Sequence, residues 1–332
     1  MWNLILSILF LLPILYYTLI LTLRYISPNP LPPTPESLNY LSTEQPNAPG
    51  LPLKSIQEPS TLDLSVVIPA YNEENRLKVG LKSALDYLPT LNQSYEVLII
   101  DDGSQDQTVQ EALQLAFDHQ ALLQSSNPKV NGEIRVIRLG KNRGKGGAVK
   151  HGILFSRGQR ILFADADGAS DFSDHKLLND QLNQIILKTE STQLGMSIGS
   201  RAHLISTQPV VSRSQFRNFL MKAFHLYLYL LGLRDIRDTQ CGFKLLTRDS
   251  ARDLFNGLHV EGWIFDVELL LLAKLMNPPI PIAEVPITWN EVSGSKLSII
   301  KDSITMAIEL LIIRLNYLLG VWKVPKSSSL QT

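Results

Sequence analysis

Cysteine occurs once in 332 residues, as Cys241. One cysteine excludes an internal disulfide, and no Cys/His cluster stands at zinc-ligand spacing, so a reducing, cytosolic setting fits. A charge excess of either sign is also missing. Lys+Arg and Asp+Glu both number 31, and that balance gives no reason to expect nucleic acid as a partner. A Walker A loop is absent, because no Ser or Thr follows Lys145 in the glycine-rich basic segment. The dinucleotide fingerprint fails too, since its third glycine, counted from Gly144, is Val149. There is no internal repeat.

Charge is also lacking along Met1–Leu23, a run that ends at Arg24. About 20 mostly apolar residues suffice to span a bilayer. A cleaved signal peptide would need a basic n-region, a shorter apolar core and a small-residue cleavage site. None is evident, so residues 1–26 are expected to be an uncleaved transmembrane anchor. No Lys or Arg precedes the run, whereas Arg24, Lys54, Arg76 and Lys78 follow it. The positive-inside rule then puts the main body in the cytosol.

The stretch Ser27–Pro35 is rich in proline, which fixes φ and removes donors. Residues 27–62 therefore read as a stiff spacer continued by polar linker. From residue 63, short apolar runs at Leu64–Pro69, Tyr95–Ile100, Ile134–Leu139, Arg160–Ala164 and Gly195–Gly199 alternate with helical patterns such as Asn75–Leu88 and Thr108–Leu123. This predicts an α/β domain over 63–290, with a mostly parallel sheet covered by helices on both faces. Ligands of such sheets bind at the carboxyl ends of the strands. Of the later apolar stretches, Phe219–Leu233 is too short to span. The longer one, Ser298–Trp322 within a C-terminal segment 291–332, has two sides. Ser298, Lys301, Asp302, Thr305, Glu309 and Asn316 share one, and Ile300, Ile304, Ala307, Ile308, Leu311, Leu315 and Leu318 the other. Such an amphipathic helix packs on the protein's own core or lies in a membrane interface.

Four polar segments stand at predicted strand ends. In Phe163–Gly168, Asp165 and Asp167 leave a buried strand two residues apart; they read either as solvated turn acids or as a pair holding a divalent cation on a diphosphate. In Ile99–Ser104, Asp101 and Asp102 read as turn and helix-capping acids or as acceptors for a base or ribose. Gly140–Gly147 is a basic glycine-rich loop before a helix at about Ala148–Phe155, either an anion site or a solvated loop. Tyr71, after Val66–Ala70, can stack on a base or belong to the core.

In this order, Ile-Pro-Ala-Tyr-Asn-Glu, Asp-Asp-Gly-Ser, Asn-Arg-Gly-Lys-Gly and Asp-x-Asp, the segments resemble the inverting family 2 glycosyltransferases of the GT-A fold. Within them the chain is similar to the branch that glucosylates dolichyl phosphate. The further segments that carry this are Asp165–Ser170, Gly199–His203, Asp238–Lys244, Glu261–Glu268 and Gly294–Lys296. The resemblance implies UDP-glucose as donor, dolichyl phosphate as acceptor, Mg²⁺ or Mn²⁺ as cofactor, and dolichyl β-D-glucosyl phosphate as product. It implies a single-pass protein on the cytosolic face of the endoplasmic reticulum, serving protein N-glycosylation. Pro69, Ala70, Tyr71, Glu73, Asp101, Asp102, Gly144, Lys145, Asp165 and Ala166 would form the donor site. Asp165 and Asp167 would hold the metal, and Arg201 and Lys296 would meet phosphate. Asp266 would act in catalysis; it and Glu268 stand where a base could, though a phosphate nucleophile needs none. Asp171 departs from the pattern, which has a more basic residue there. The rival readings are a mannosyltransferase using GDP-mannose and a non-catalytic membrane scaffold of the same fold. A multi-span synthase is disfavoured, because no paired spans are present.

Overall fold

The computed structural model describes residues 2–41, 50–126, 132–189, 193–204, 232–233, 235–290, 292 and 299–327. In chain order the elements are helix α1 (Trp2–Ile26), strands β1 (Asn39–Tyr40), β2 (Leu51–Pro52) and β3 (Leu62–Ala70), and helix α2 (Leu77–Tyr87). Next come β4 (Tyr95–Asp101), α3 (Thr108–Ser126), β5 (Gly132–Arg138), α4 (Lys145–Leu154), β6 (Gly158–Ala164), α5 (His175–Lys188) and β7 (Met196–Ser200). The last are β8 (Phe243–Thr247), α6 (Arg248–Gly257), α7 (Phe265–Leu275), β9 (Ile282–Pro286) and α8 (Ile299–Leu318).

Seven strands form one sheet in the order β5-β4-β3-β6-β8-β7-β9. Pairing is parallel except along both edges of β8, which runs antiparallel to β6 and β7. Successive side chains of a strand point to opposite faces, and the burial follows that rule. Val66 and Ile68 of β3, with Val97 and Ile99 of β4, enter a core layer shared with α2, α3 and α5. Val67, Leu98 and Ile100 enter the opposite layer, with α4, α6, α7 and α8. The central strands β3 and β4 are therefore buried on both sides, which is why they read as unbroken apolar runs.

The expected linker is in large part packed on this domain. The β1–β2 hairpin lies against β5, with the Leu41 amide donating to the Val136 carbonyl at 2.8 Å. Ser37 and Ile56 are buried. The described residues of the spacer, 27–41 and 50–62, thus lie along the domain surface and hydrogen-bond to it.

Side chains of α1 are described from Phe10 onward, and Phe10–Tyr17 are exposed. Among the described residues no helix is long and apolar enough to cross a membrane. The expected transmembrane anchor is therefore not shown, since the described side chains cover less than the roughly 20 residues that a span requires. Helix α8 packs on the core along one side only. Leu310, Ile313 and Asn316 are buried, while Ile304, Ile308, Leu311 and Leu318 of the apolar side are exposed. Asn316 turns inward because its Nδ2 donates to Ser27 Oγ at 2.7 Å and to the Ile312 carbonyl at 2.8 Å.

Candidate active site

The loops that leave β3, β4, β5, β6 and β7 open on the same edge of the sheet, and the antiparallel β8 begins there. Asp165 leaves β6 at this edge, and its amide donates to the Gly242 carbonyl at 3.1 Å. A Cβ at Gly242 would displace this carboxylate, lying 2.1 Å from Asp165 Oδ2. Lys145, the first residue of α4, places its Nζ 2.6 Å from Asp165 Oδ1. Burial would lower the Lys145 pKa, but Asp165 and Asp266 hold it raised, so the ammonium persists. The same Nζ lies 5.9 Å from the ring centre of Trp263, which is half exposed at the rim. Asp167 Oδ1 accepts from the Ala169 amide at 3.0 Å, a turn bond that leaves its other oxygen available to a cation.

Beneath this pair lies a second one. Asp266 is 2 % exposed and accepts from Lys244 Nζ at 2.6 Å. Lys244 also donates to the Cys241 carbonyl at 2.6 Å. Asp266 therefore orders buried ammonium groups from below. Glu268 is spent elsewhere: it accepts from the His259 and Val260 amides and from Tyr317 Oη, fixing α7 to α8. Burial pushes the Cys241 thiol up to about 12, so it stays a neutral core residue.

The β3 and β4 loops are stitched together. The Asn72 amide donates to Ser104 Oγ at 2.9 Å, and the Gln105 amide to Asn72 Oδ1 at 2.8 Å. Glu73 is buried and ion-paired with Arg76 at 2.7 Å. Asp101 Oδ1 accepts from the Ser104 amide at 3.2 Å, the turn role weighed for it. Asp102, also buried, accepts from the amides of Arg143 at 2.7 Å and Gly144 at 2.9 Å. Burial pushes its carboxyl up to about 7, against the two amides that favour the anion and with Asp101 adding to the rise. Ala70 is buried at the end of β3, and its carbonyl accepts from the Asp102 amide at 2.8 Å. Pro69 and Tyr71 flank it, both partly buried, and Ala166 is buried between Asp165 and Asp167.

Arg201 follows β7. Its fork grips Asp238 in two bonds, of 2.7 and 3.0 Å, and its guanidinium lies 5.5 Å from the Trp289 ring centre. Asp238 holds the arginine pKa above its ordinary range, despite burial. Lys296 lies outside the described residues, as does nearly all of the apolar stretch at 219–233. Asp171 caps a short turn through the Ser173 amide at 2.9 Å, so the departure from the family pattern has a local structural role.

Sequence reasoning missed the residues that act through others: Asp238 behind Arg201, Lys244 with Asp266, Gly242 under Asp165, and Arg143 with Glu261. All five lie inside segments that carried the family resemblance, and that is the signal that could have found them.

The comparisons with known proteins agree with the geometry. The model of "Glycosyl transferase family 2" matches residues 65–255. A dolichyl-phosphate beta-glucosyltransferase of Saccharomyces cerevisiae is 44% identical over 93% of this chain and 92% of its own. One from Homo sapiens is 45% identical over 83% of this chain and 82% of its own. Among solved structures, glucosyl-3-phosphoglycerate synthase of Mycobacterium tuberculosis, in complex with uridine diphosphate, has a TM-score of 0.50 at 18% identity. That likeness covers 80% of this chain and 82% of that one and bears on the fold. The chain belongs to glycosyl transferase family 2, among the dolichyl-phosphate beta-glucosyltransferases.

Proposed function

We infer that this protein transfers glucose from UDP-glucose to dolichyl phosphate, releasing UDP and forming dolichyl β-D-glucosyl phosphate. One observation carries the reading. Relatives named for that reaction align with nearly the whole chain, and the aligned chain presents Asp165, Asp167, Lys145 and Arg201 together at the ligand-binding edge of the sheet.

Asp165 and Asp167 fit a divalent cation. They offer oxygen ligands only, and among the described residues no group of three or more His, Cys, Asp or Glu could hold a metal. A site with two carboxylates suits Mg²⁺ or Mn²⁺ whose remaining ligands are diphosphate oxygens and water. Bound there, the metal would offset charge on the departing diphosphate. Lys145 already balances Asp165 and stands ready to share its charge with the donor. The Gly144 and Gly147 amides are taken by Asp102 and the Glu261 carbonyl, so at this loop the diphosphate is to be met by Lys145 and the positive end of the α4 dipole. Pro69, Tyr71 and the Asp101–Asp102 turn are assigned to the uridine. On the acceptor side, Arg201 supplies a planar donor suited to phosphate. It reaches that phosphate by sharing its bonds with Asp238. Lys296 is assigned to the same task.

We place the protein on the cytosolic face of the endoplasmic reticulum, held by α1, its product serving protein N-glycosylation. The charge-free run Met1–Leu23 and the exposed apolar side chains of α1 and α8 support membrane lipid as a partner. The purified protein, given a polyprenyl phosphate and a divalent metal, is expected to make lipid-linked glucose from UDP-glucose and none from GDP-mannose. Product from GDP-mannose alone would replace this assignment.

A further inference from the structure

Arg143 joins three parts of the chain that are far apart in sequence. Its Nη2 donates to the Leu31 carbonyl at 2.7 Å, 112 residues away. The same guanidinium pairs with the Glu261 carboxylate, 118 residues in the other direction. Its backbone amide donates to Asp102. Arg143 and Glu261 are nearly buried, with side chains 8% and 14% exposed. The Glu261 backbone meets the loop directly: its carbonyl accepts from the Gly147 amide at 3.0 Å, and a Cβ at Gly144, where φ is +88°, would lie 2.6 Å from that oxygen. The loop bearing Gly144 and Lys145 is thus clamped between the Glu261 segment and residues 28–41.

That N-terminal stretch is itself fixed at both ends. At one end Leu23 is buried and Ser27 accepts from Asn316 of α8. At the other, Ser37 is buried, its carbonyl meets His151 Nε2 of α4 at 2.7 Å, and Leu41 bridges to Val136. Between them Pro30, Pro32, Pro33 and Pro35 keep the backbone extended, so the Leu31 carbonyl is presented with little entropy left to lose.

We propose that residues 28–41 are a strap belonging to the donor site, and that Arg143 is the positioning residue through which the strap sets the loop. Arg143 and the Leu31 carbonyl do not touch the reacting atoms. They hold Gly144 and Lys145 where the diphosphate is to be met. The inference rests on the donor reading given above. Because coupling between two sites is reciprocal, donor binding must also tighten the strap.

The test uses full-length protein in detergent. UDP-glucose binding with Mg²⁺ is titrated for wild type, Arg143→Ala, Arg143→Lys and a variant with Pro30–Pro33 replaced by four glycines. Hydrogen exchange of the amides at 36–41 is followed with and without the donor. Losing one charge-assisted bond at the clamp is expected to weaken donor binding about tenfold. In kinetics it should raise KM while kcat stays within about twofold of wild type. The glycine variant should behave similarly with every loop residue intact, and it decides the matter if Arg143→Ala does not fold. Arg143→Lys should recover only part, since an ammonium lacks the fork that reaches both acceptors. Donor should slow exchange of the strap in wild type and leave it unchanged in Arg143→Ala. If wild type binds UDP-glucose and the glycine variant binds it equally well, with no donor effect on strap exchange, the inference is overturned and the donor reading stands. If wild type does not bind UDP-glucose, both fall.

Discussion

Asp102 shows how one buried carboxyl can pull stability and binding in opposite directions with pH. Its pKa is raised from 3.8 to about 7, so the native state keeps this proton longer than the unfolded chain does. Its contribution to stability is therefore complete below 3.8 and is lost as pH rises to about 7. The loop has the contrary need, because the Arg143 and Gly144 amides each require an acceptor and a carboxylic acid turns one oxygen into a donor. UDP-glucose, whose diphosphate does not titrate near neutrality, is expected to bind more tightly as pH rises through about 7. Asp102→Asn should bind it more weakly and remove both slopes. Calorimetric titration and thermal melts across that range decide it; a wild-type affinity indifferent to pH would detach Asp102 from the donor loop. Asp167 gives a simpler expectation. Asparagine keeps the oxygen that accepts from Ala169, so Asp167→Asn should fold with an unchanged melting temperature. Losing the charged ligand should cut transfer by about 10²-fold or more. Near-normal transfer with Mg²⁺, or unaltered Mn²⁺ binding by electron paramagnetic resonance, would remove Asp167 from the metal site. Such acids are legible in sequence because their chemistry is local to a strand end. Arg143 is not, since its partners are set by tertiary contact across more than a hundred residues.

At the scale of elements, the strands β3 to β7 were readable because burial on both faces leaves unbroken apolar runs. Strands β8 and β9 were not. The first is five residues with Lys244 in it, a charge hidden by pairing with Asp266. The second is a five-residue strand ending in Pro286, at the sheet edge where proline is tolerated. The packing of residues 28–41 is not legible, because proline content reports stiffness and says nothing of what a stiff segment packs against. For α8 the wheel separated polar from apolar residues correctly, yet the core took part of the polar side, through Asn316, and left the row Ile304, Ile308, Leu311 and Leu318 uncovered. If that row faces lipid, a protein lacking Met1–Ile20, which still keeps Leu23 and Ser27, should sediment with liposomes. Replacing Ile308 and Leu311 by Asp should then weaken its binding by about tenfold or more, from the apolar burial lost. A truncated protein that stays in the supernatant without either substitution would show that the row is simply exposed.

At the scale of the whole molecule, sheet polarity gathers the acids and bases of five loops on one edge, and what they lack is informative. Asp266, which stands where a base could, lies under Lys145 and Lys244 rather than open to an acceptor. Transfer to an alcohol would need a base, worth about 10²–10⁴-fold. A lipid phosphate does not, because its second pKa near 6 leaves it mostly dianionic at neutral pH. What it needs is positive charge to offset repulsion from the donor diphosphate, the task proposed above for Arg201 and Lys296. The acidic limb of the pH–rate curve should accordingly follow the acceptor's own ionisation. Substituting a phosphonate acceptor of higher pKa should move that limb upward by the difference. Asp266→Asn should leave Lys244 buried without its counter-ion and lower stability by about 3–5 kcal/mol, while the limb stays where the acceptor puts it. A limb that ignores the acceptor and disappears in Asp266→Asn would make Asp266 the proton acceptor. The ammonium groups packed on it would then have to be released during the reaction.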